Sequence, residues 1–141
     1  MIYGQNALKI LNLVRDIGAV PEPAIFAYIR RNTKQKLISL TRERLIRKVK
    51  VNKTIWYFDN KLPNNLYYHT IKAWFAVRWL QLGGTIDDNV FVSQVNQRFD
   101  FTVIDDKAVI SGNGYRYYAT LDDLQTKKDL STYLRVYPPQ K

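Results

Sequence analysis

The sequence predicts an α+β protein built in two parts. Three observations predict it. Apolar residues recur at helical spacing through most of the first 45 residues, alternating turn-punctuated segments fill residues 90–119, and positive charge is concentrated in the first part. Residues 1–63 carry 13 Lys/Arg against 4 Asp/Glu, a net +9, while residues 64–141 carry 9 against 8, a net +1, which together make the formal +10 of the chain. A hydrophobic content of 46% with 13% aromatics supports a packed core and excludes global disorder. Cysteine is absent, so disulfides and thiolate zinc sites are excluded. MIYGQNALKI lacks the basic-then-apolar order of a signal peptide, and no apolar run approaches the ~20 residues that span a bilayer, so a cytoplasmic protein without a membrane partner is expected.

The first helix is predicted over residues 7–19, capped by Asn6 and stopped at Gly18, with Leu8, Leu11, Val14 and Ile17 on one face and Ile10 and Leu13 widening it. Pro21-Glu22-Pro23 starts a second helix, proline suiting the first turn and glutamate the N-terminal dipole. Ile25, Phe26, Tyr28 and Ile29 are its expected buried side, and Arg30, Arg31 and Asn32 form the turn that follows. A third helix begins near Thr33 with Leu37, Leu40 and Leu45 inward, Leu45-Ile46 leaving it for the core. Its outer side holds Lys34, Gln35, Ile38, Ser39 and Arg42, a mix of charge, amide, hydroxyl and aliphatic groups able to address phosphates, base edges and thymine methyls. Glu43 is the sole acid from residue 33 to 55, whereas a merely solvated helix face would carry more glutamate among its lysines.

A ribbon follows. Val49 and Val51 alternate with Lys48 and Lys50, and Ile55 and Tyr57 with Trp56 and Phe58, around a turn at Asn52-Lys53. Arg47, Lys48, Lys50 and Lys53 gather on the ribbon and its tip. Helix then two-stranded ribbon is the outline of a winged helix-turn-helix, the helix facing a DNA groove and the ribbon its backbone. An ordinary hairpin with lysines guarding an edge strand is the alternative; the ribbon's place directly after the helix favours the wing.

The polar stretch DNKLPNN, residues 59–65, divides a first domain, 1–60, from a second, 64–141. The second opens with a long helix over 66–82, apolar nearly all round through Ile71, Trp74, Phe75, Val77 and Leu80, and ended by Gly83-Gly84. Strands are expected at 90–95, 99–104, 108–111 and 115–119, turning at Asp105-Asp106-Lys107 and Gly112-Asn113-Gly114, so that a small mainly antiparallel sheet forms a meander. A C-terminal helix over 121–134, with Asp122-Asp123 in its first turn, completes the domain, and the tail RVYPPQK is extended or frayed.

Little here suggests catalysis. Phosphate-loop and dinucleotide glycine spacings are missing, as is a serine elbow. His69 is the one histidine and stands at the start of a helix, where a structural or capping role fits it. The pairs Asp87-Asp88, Asp105-Asp106 and Asp122-Asp123 fall where turns and caps want aspartate, and neighbours on a strand point apart, which suits no metal cage. No cofactor, no metal and no enzymatic activity are expected.

The pattern LISLTRERLIRKVKV…TIWYF resembles winged-helix domains, most of which place glycine before the Leu-Ile pair; here Arg44 stands there, so the helix is expected to end without a glycine cap. Through YYHTIKAWFAVRWLQLGG and RFDFTVIDDKAVISG the whole chain resembles the replication-relaxation and related mobile-element proteins of Gram-positive bacteria. That resemblance implies a winged helix joined to a small α/β domain similar to restriction-endonuclease folds. In such a nuclease an Asp opening one strand and an acid-x-Lys on the next hold a metal; Asp100 fits the first position, but residues 108–111 offer no acid-x-Lys, so a degenerate site is implied.

The expected function is non-catalytic, sequence-specific or semi-specific binding of double-stranded DNA in transcription or replication control of a plasmid, phage or transposon. Lys34, Gln35, Ile38, Ser39 and Arg42 would meet the major groove, and Arg47, Lys48, Lys50 and Lys53 the backbone. The second domain would supply homodimerisation or recruit a host or mobile-element protein. The alternative is a protein-interaction module or a phage-encoded inhibitor of a host protein or RNA–protein complex, with Tyr67, Tyr68, Trp74, Trp79, Tyr115, Tyr117 and Tyr118 as a sticky face. A third reading is a metal nuclease centred on Asp100.

Overall fold

The computed structural model describes residues 4–87 and 89–137. The chain is a mixed α+β protein with two antiparallel sheets, and it divides into two compact units, Met1–Ala73 and Trp74–Lys141.

In the first unit α1 runs Gln5–Ile17. Its N-cap is Gly4 rather than the expected Asn6, because Leu8 N–H already bonds Gly4 O at 3.1 Å and takes Asn6 into the first turn. Gly18 ends it as expected, at φ 96, its N–H on Val14 O at 2.8 Å. Ile10, Leu11, Leu13, Val14 and Ile17 are buried, but Leu8, assigned to that stripe, is 45% exposed. The next three residues form a strand the sequence did not announce: β1 (Ala19–Pro21) pairs antiparallel with β3 (Thr54–Phe58), Val20 opposite Tyr57. Three residues are too few to show a period of two.

Helix α2, Glu22–Tyr28, buries Ala24 and Ile25, and Ile29 is buried at its C-cap. Phe26 was expected inside but is 41% exposed, since it lies one residue beyond Ile25 and therefore about 100° round the helix. Helix α3, Thr33–Arg42, buries Thr33, Leu37 and Leu40 at intervals of four and three. Thr33 Oγ1 donates to Ile29 O and Thr41 Oγ1 to Leu37 O at 2.6 Å. Leu45 is only half-buried, and Ile46 is the residue of that pair that fills the core.

The end of α3 has no glycine, as expected, yet keeps the geometry of a glycine cap. Arg44 has φ 61, its N–H bonds Thr41 O at 3.0 Å, and Leu45 N–H bonds Leu40 O at 3.0 Å. These are the two bonds of a Schellman cap, with arginine in the left-handed position that glycine usually takes. The cap is therefore present without its glycine.

Strand β2, Arg47–Val51, is hydrogen-bonded to β3 alone, so the sheet order is β1-β3-β2 and β2 is an edge. Asn52 and Lys53, at φ 48 and φ 70, make the two-residue turn, the left-handed pair of a type I′ hairpin. Trp56 and Tyr57 of β3 are both buried, so its central position covers both of its faces. Tyr57 hydroxyl donates to Glu22 Oε2 at 2.8 Å; burial first, and then this bond, raise its pKa far above the ordinary tyrosine value.

The stretch 59–65 lies inside the first unit, and the division between units falls within α4, Leu66–Gln81. Asn65 starts that helix: its Oδ1 accepts from Tyr68 N–H at 3.0 Å, and its carbonyl lies 2.9 Å from His69 Nδ1. Residues 71–79 are all buried, including Lys72 and Arg78.

In the second unit, strands β4 (Thr85–Asp87), β5 (Val90–Val92), β6 (Arg98–Ile104), β7 (Lys107–Gly112), β8 (Tyr115–Thr120) and β9 (Arg135–Val136) pair in sequence order, all antiparallel. The expected meander is there, with β4 and β9 added at its edges. β5 stops at Val92 rather than residue 95, because Ser93 turns the chain: its N–H bonds Gln97 O at 2.8 Å and its Oγ accepts from Gln97 N–H at 3.0 Å. Asp105-Asp106 (φ 51, φ 62) and Asn113-Gly114 (φ 55, φ 82) are again type I′ turns.

The predicted helix over 121–134 is two short ones, α5 (Leu121–Thr126) and α6 (Leu130–Tyr133). Asp129 is the cause: its carboxylate accepts from Ser131 N–H at 3.1 Å and Ser131 Oγ at 2.7 Å, a cap that starts a new helix. The tail then pairs as β9, Tyr118 opposite Arg135.

Phe75, Trp79, Phe91, Phe99 and Phe101 form the core of this unit, with neighbouring ring centroids 5.4–5.9 Å apart. Such pairs add about 0.5–1.5 kcal/mol each beyond the area they bury. The buried Arg78 guanidinium donates to Leu124 O (2.7 Å), Gln125 O (3.4 Å) and Gln81 Oε1 (3.0 Å). A buried cation thereby satisfies the last carbonyls of α5, where the helix dipole is negative. Among the described residues no helix is long and apolar enough to cross a membrane.

Candidate nucleic-acid interface

The nine residues singled out from the sequence fall on two consecutive pieces of the first unit. Lys34, Gln35, Ile38 and Arg42 are exposed on α3, opposite the buried Thr33, Leu37 and Leu40, and Ser39 is half-buried at the border. Positions 34, 38 and 42 are four apart, so they stack along one side of the helix. Arg47, Lys48 and Lys50 are exposed on β2 and Lys53 at its turn. Lys48 lies opposite Tyr57 and Lys50 opposite Ile55, which puts the two lysines on one side of the ribbon; Arg47 and Val49 take the other.

The electrostatics are one-sided. Lys34, Arg42, Lys48, Lys50 and Lys53 make no ion pair among the described residues, and Arg47 Nη1 reaches only the carbonyl of Asn60, at 3.5 Å. The first turn of α3 has no acid and holds Lys34 and Lys36 instead. Cations beside the positive end of a helix dipole cost it some stability, about 0.3–1 kcal/mol each, a cost an arriving anion would reverse. Two of the left-handed backbone positions here, Arg44 and Lys53, are filled by cations where glycine would be easier.

Sequence reading passed over three contributors. Arg30 and Arg31 are exposed just before α3, and Lys36 Nζ donates to Arg31 O at 3.1 Å, holding that turn against the helix start. Arg44 is exposed at the other end. The adjacent Arg30-Arg31 pair was the visible signal; that Arg44 is held by a cap was not, because the glycine that marks such caps is missing.

Elsewhere Asp100 is exposed on β6, with Val90 and Ser111 as its cross-strand neighbours. His69 bonds Asn65 at the head of α4, the capping position expected of it. Asp105-Asp106 form a turn and Asp122-Asp123 the first turn of α5, while Asp88 lies outside the described residues. No protein family, curated protein or solved structure matches this chain.

Proposed function

We propose that the first unit is a winged helix-turn-helix that binds double-stranded DNA, with α3 in the major groove and the β2–β3 ribbon as a wing along the backbone. The observation that carries this is the run of exposed cations over α3 and the ribbon that make no ion pair among the described residues, interleaved with Gln35, Ile38 and Ser39, which can read base edges and thymine methyls. Lys48, Lys50 and Lys53 position the protein through phosphates; Gln35, Ser39 and Arg42 discriminate between sequences. The binding is non-catalytic and serves transcription or replication control in a mobile element of the replication-relaxation kind, with a second copy or a partner protein engaged through the second unit.

A gel-shift series tests it. Lys50→Glu should weaken binding to all sequences and lower the salt slope by at least about one. Arg42→Ala should cost about 1–3 kcal/mol on the best site and less elsewhere. Unchanged DNA affinity in both variants sinks the proposal. A host protein retained by the nuclease-treated full chain, with no DNA shift, would favour a protein-interaction module instead.

A further inference from the structure

The sheet of the second unit has two unlike faces. Residues alternate across it, so cross-strand neighbours share a side. One side carries Phe91, Phe99, Phe101, Ile110 and Ala119 and packs on Phe75 and Trp79 of α4. The other carries Asp100 beside Ser111 and Arg116, and Thr102 beside Val109, Tyr118 and Arg135. Arg98, Asp100, Thr102 and Arg135 on that second side are exposed, and Lys107, Arg116, Tyr118 and Tyr137 are half-exposed.

On that open side aromatic rings and cations alternate. Lys107 Nζ lies 5.3 Å from the centre of the Tyr118 ring, Tyr118 meets Tyr137 edge to face at 5.9 Å, and the Arg116 guanidinium lies 4.9 Å from the Tyr137 ring. Tyr137 N–H donates to Arg116 O at 2.7 Å, which extends the β9 pairing and fixes that ring beside β8. Arg98 and Arg135 flank the row. Four cations thus stand against two acids on this side, and Asp87 is already paired with Arg98 at 3.4 Å. Val109 in the middle of this side is fully buried, but the tyrosines and cations around it keep part of their surface in solvent.

We infer that this face binds single-stranded nucleic acid. Its chemistry is what that ligand needs: flat rings on which successive bases stack, and cations at the spacing of a few residues to meet the phosphates between them. A duplex hides its base faces and would engage the cations alone. The inference is independent of duplex binding by the first unit, because the two surfaces share no residue.

The test uses the full chain carrying Arg42→Ala and Lys50→Glu, which lowers the first unit's share of any nucleic-acid affinity, and every further variant is compared with that background. Binding of a labelled oligothymidylate is followed by fluorescence anisotropy and by quenching of tyrosine emission. Tyr137→Leu and Tyr118→Leu should each weaken binding about 5- to 100-fold, Tyr118→Phe should restore it, and Arg116→Ala with Arg135→Ala should lower the salt slope. An abasic oligomer with the same number of phosphates should bind at least about 5-fold more weakly. Circular dichroism melts confirm which variants are folded; Tyr137→Leu, near the end of the sheet, carries the test if Tyr118→Leu does not fold. Equal affinity for the abasic oligomer, equal affinity for polyglutamate of matched charge, or an unchanged affinity in folded Tyr137→Leu each overturns the inference.

Discussion

At the scale of single residues, backbone conformation explains what side-chain pattern does not. Arg44 at φ 61 and Gly112 make opposite predictions. Arg44→Gly keeps the Schellman bonds and relieves a left-handed arginine, so thermal melting should show a change within about 1 kcal/mol of zero, whereas Arg44→Val should destabilise by roughly 1–2 kcal/mol, a β-branched residue tolerating that φ worst. Gly112 is not left-handed, yet a Cβ on it would sit 2.3 Å from Arg98 O and 2.9 Å from the Phe99 ring. Gly112→Ala must push two strands apart and should lower stability by about 2 kcal/mol or more. Sequence reading took Gly112 for a turn residue because it precedes Asn-Gly; its constraint comes from the start of the neighbouring strand β6, more than ten residues earlier in the chain, which no local pattern encodes.

At the scale of elements, what was legible followed period and punctuation. The buried faces of α1 and α3, the Asn52-Lys53 hairpin and the turns at Asp105-Asp106 and Asn113-Gly114 were all visible, because two-residue left-handed turns need Asn, Asp or Gly and helical faces need repeats of three and four. What was missed is short or depends on pairing. β1, β4 and β9 have two or three residues each and exist because a neighbouring strand supplies hydrogen bonds. The break between α5 and α6 was missed because helical spacing was carried through Asp129, although a short side chain that can cap a helix is a stop as well as a start. Removing it as Asp129→Ala should cost about 1 kcal/mol in a denaturant melt. The candidate interface was more legible than the fold around it, since exposed polar residues on α3 and the ribbon are set by the gaps in the apolar pattern. Its missing members, Arg44 above all, depend on a cap without its usual glycine.

At the scale of the whole molecule, the buried ionisable groups act through pH. Burial lowers the pKa of Lys72, so the folded chain gives up that proton at lower pH than the unfolded chain, whose lysine titrates near 10.5. Between those values the unfolded state holds more protons, and stability rises with pH. The tyrosines work the other way. Burial raises Tyr28, Tyr68, Tyr57 and Tyr133, the last to about 12, and Tyr57 is raised further by its bond to Glu22. Above about pH 10 an unfolded tyrosine has lost a proton that the folded one keeps, so stability then falls as pH climbs. Denaturant melts across the alkaline range should therefore show stability rising toward about pH 10 and falling beyond it. Lys72→Met should flatten the rise, and Tyr57→Phe should reduce the fall while leaving the rise intact. A fall of unchanged steepness in Tyr57→Phe would mean that the phenol bound to Glu22 is not what resists ionisation, and the coupling of α2 to β3 through that bond would lose its support.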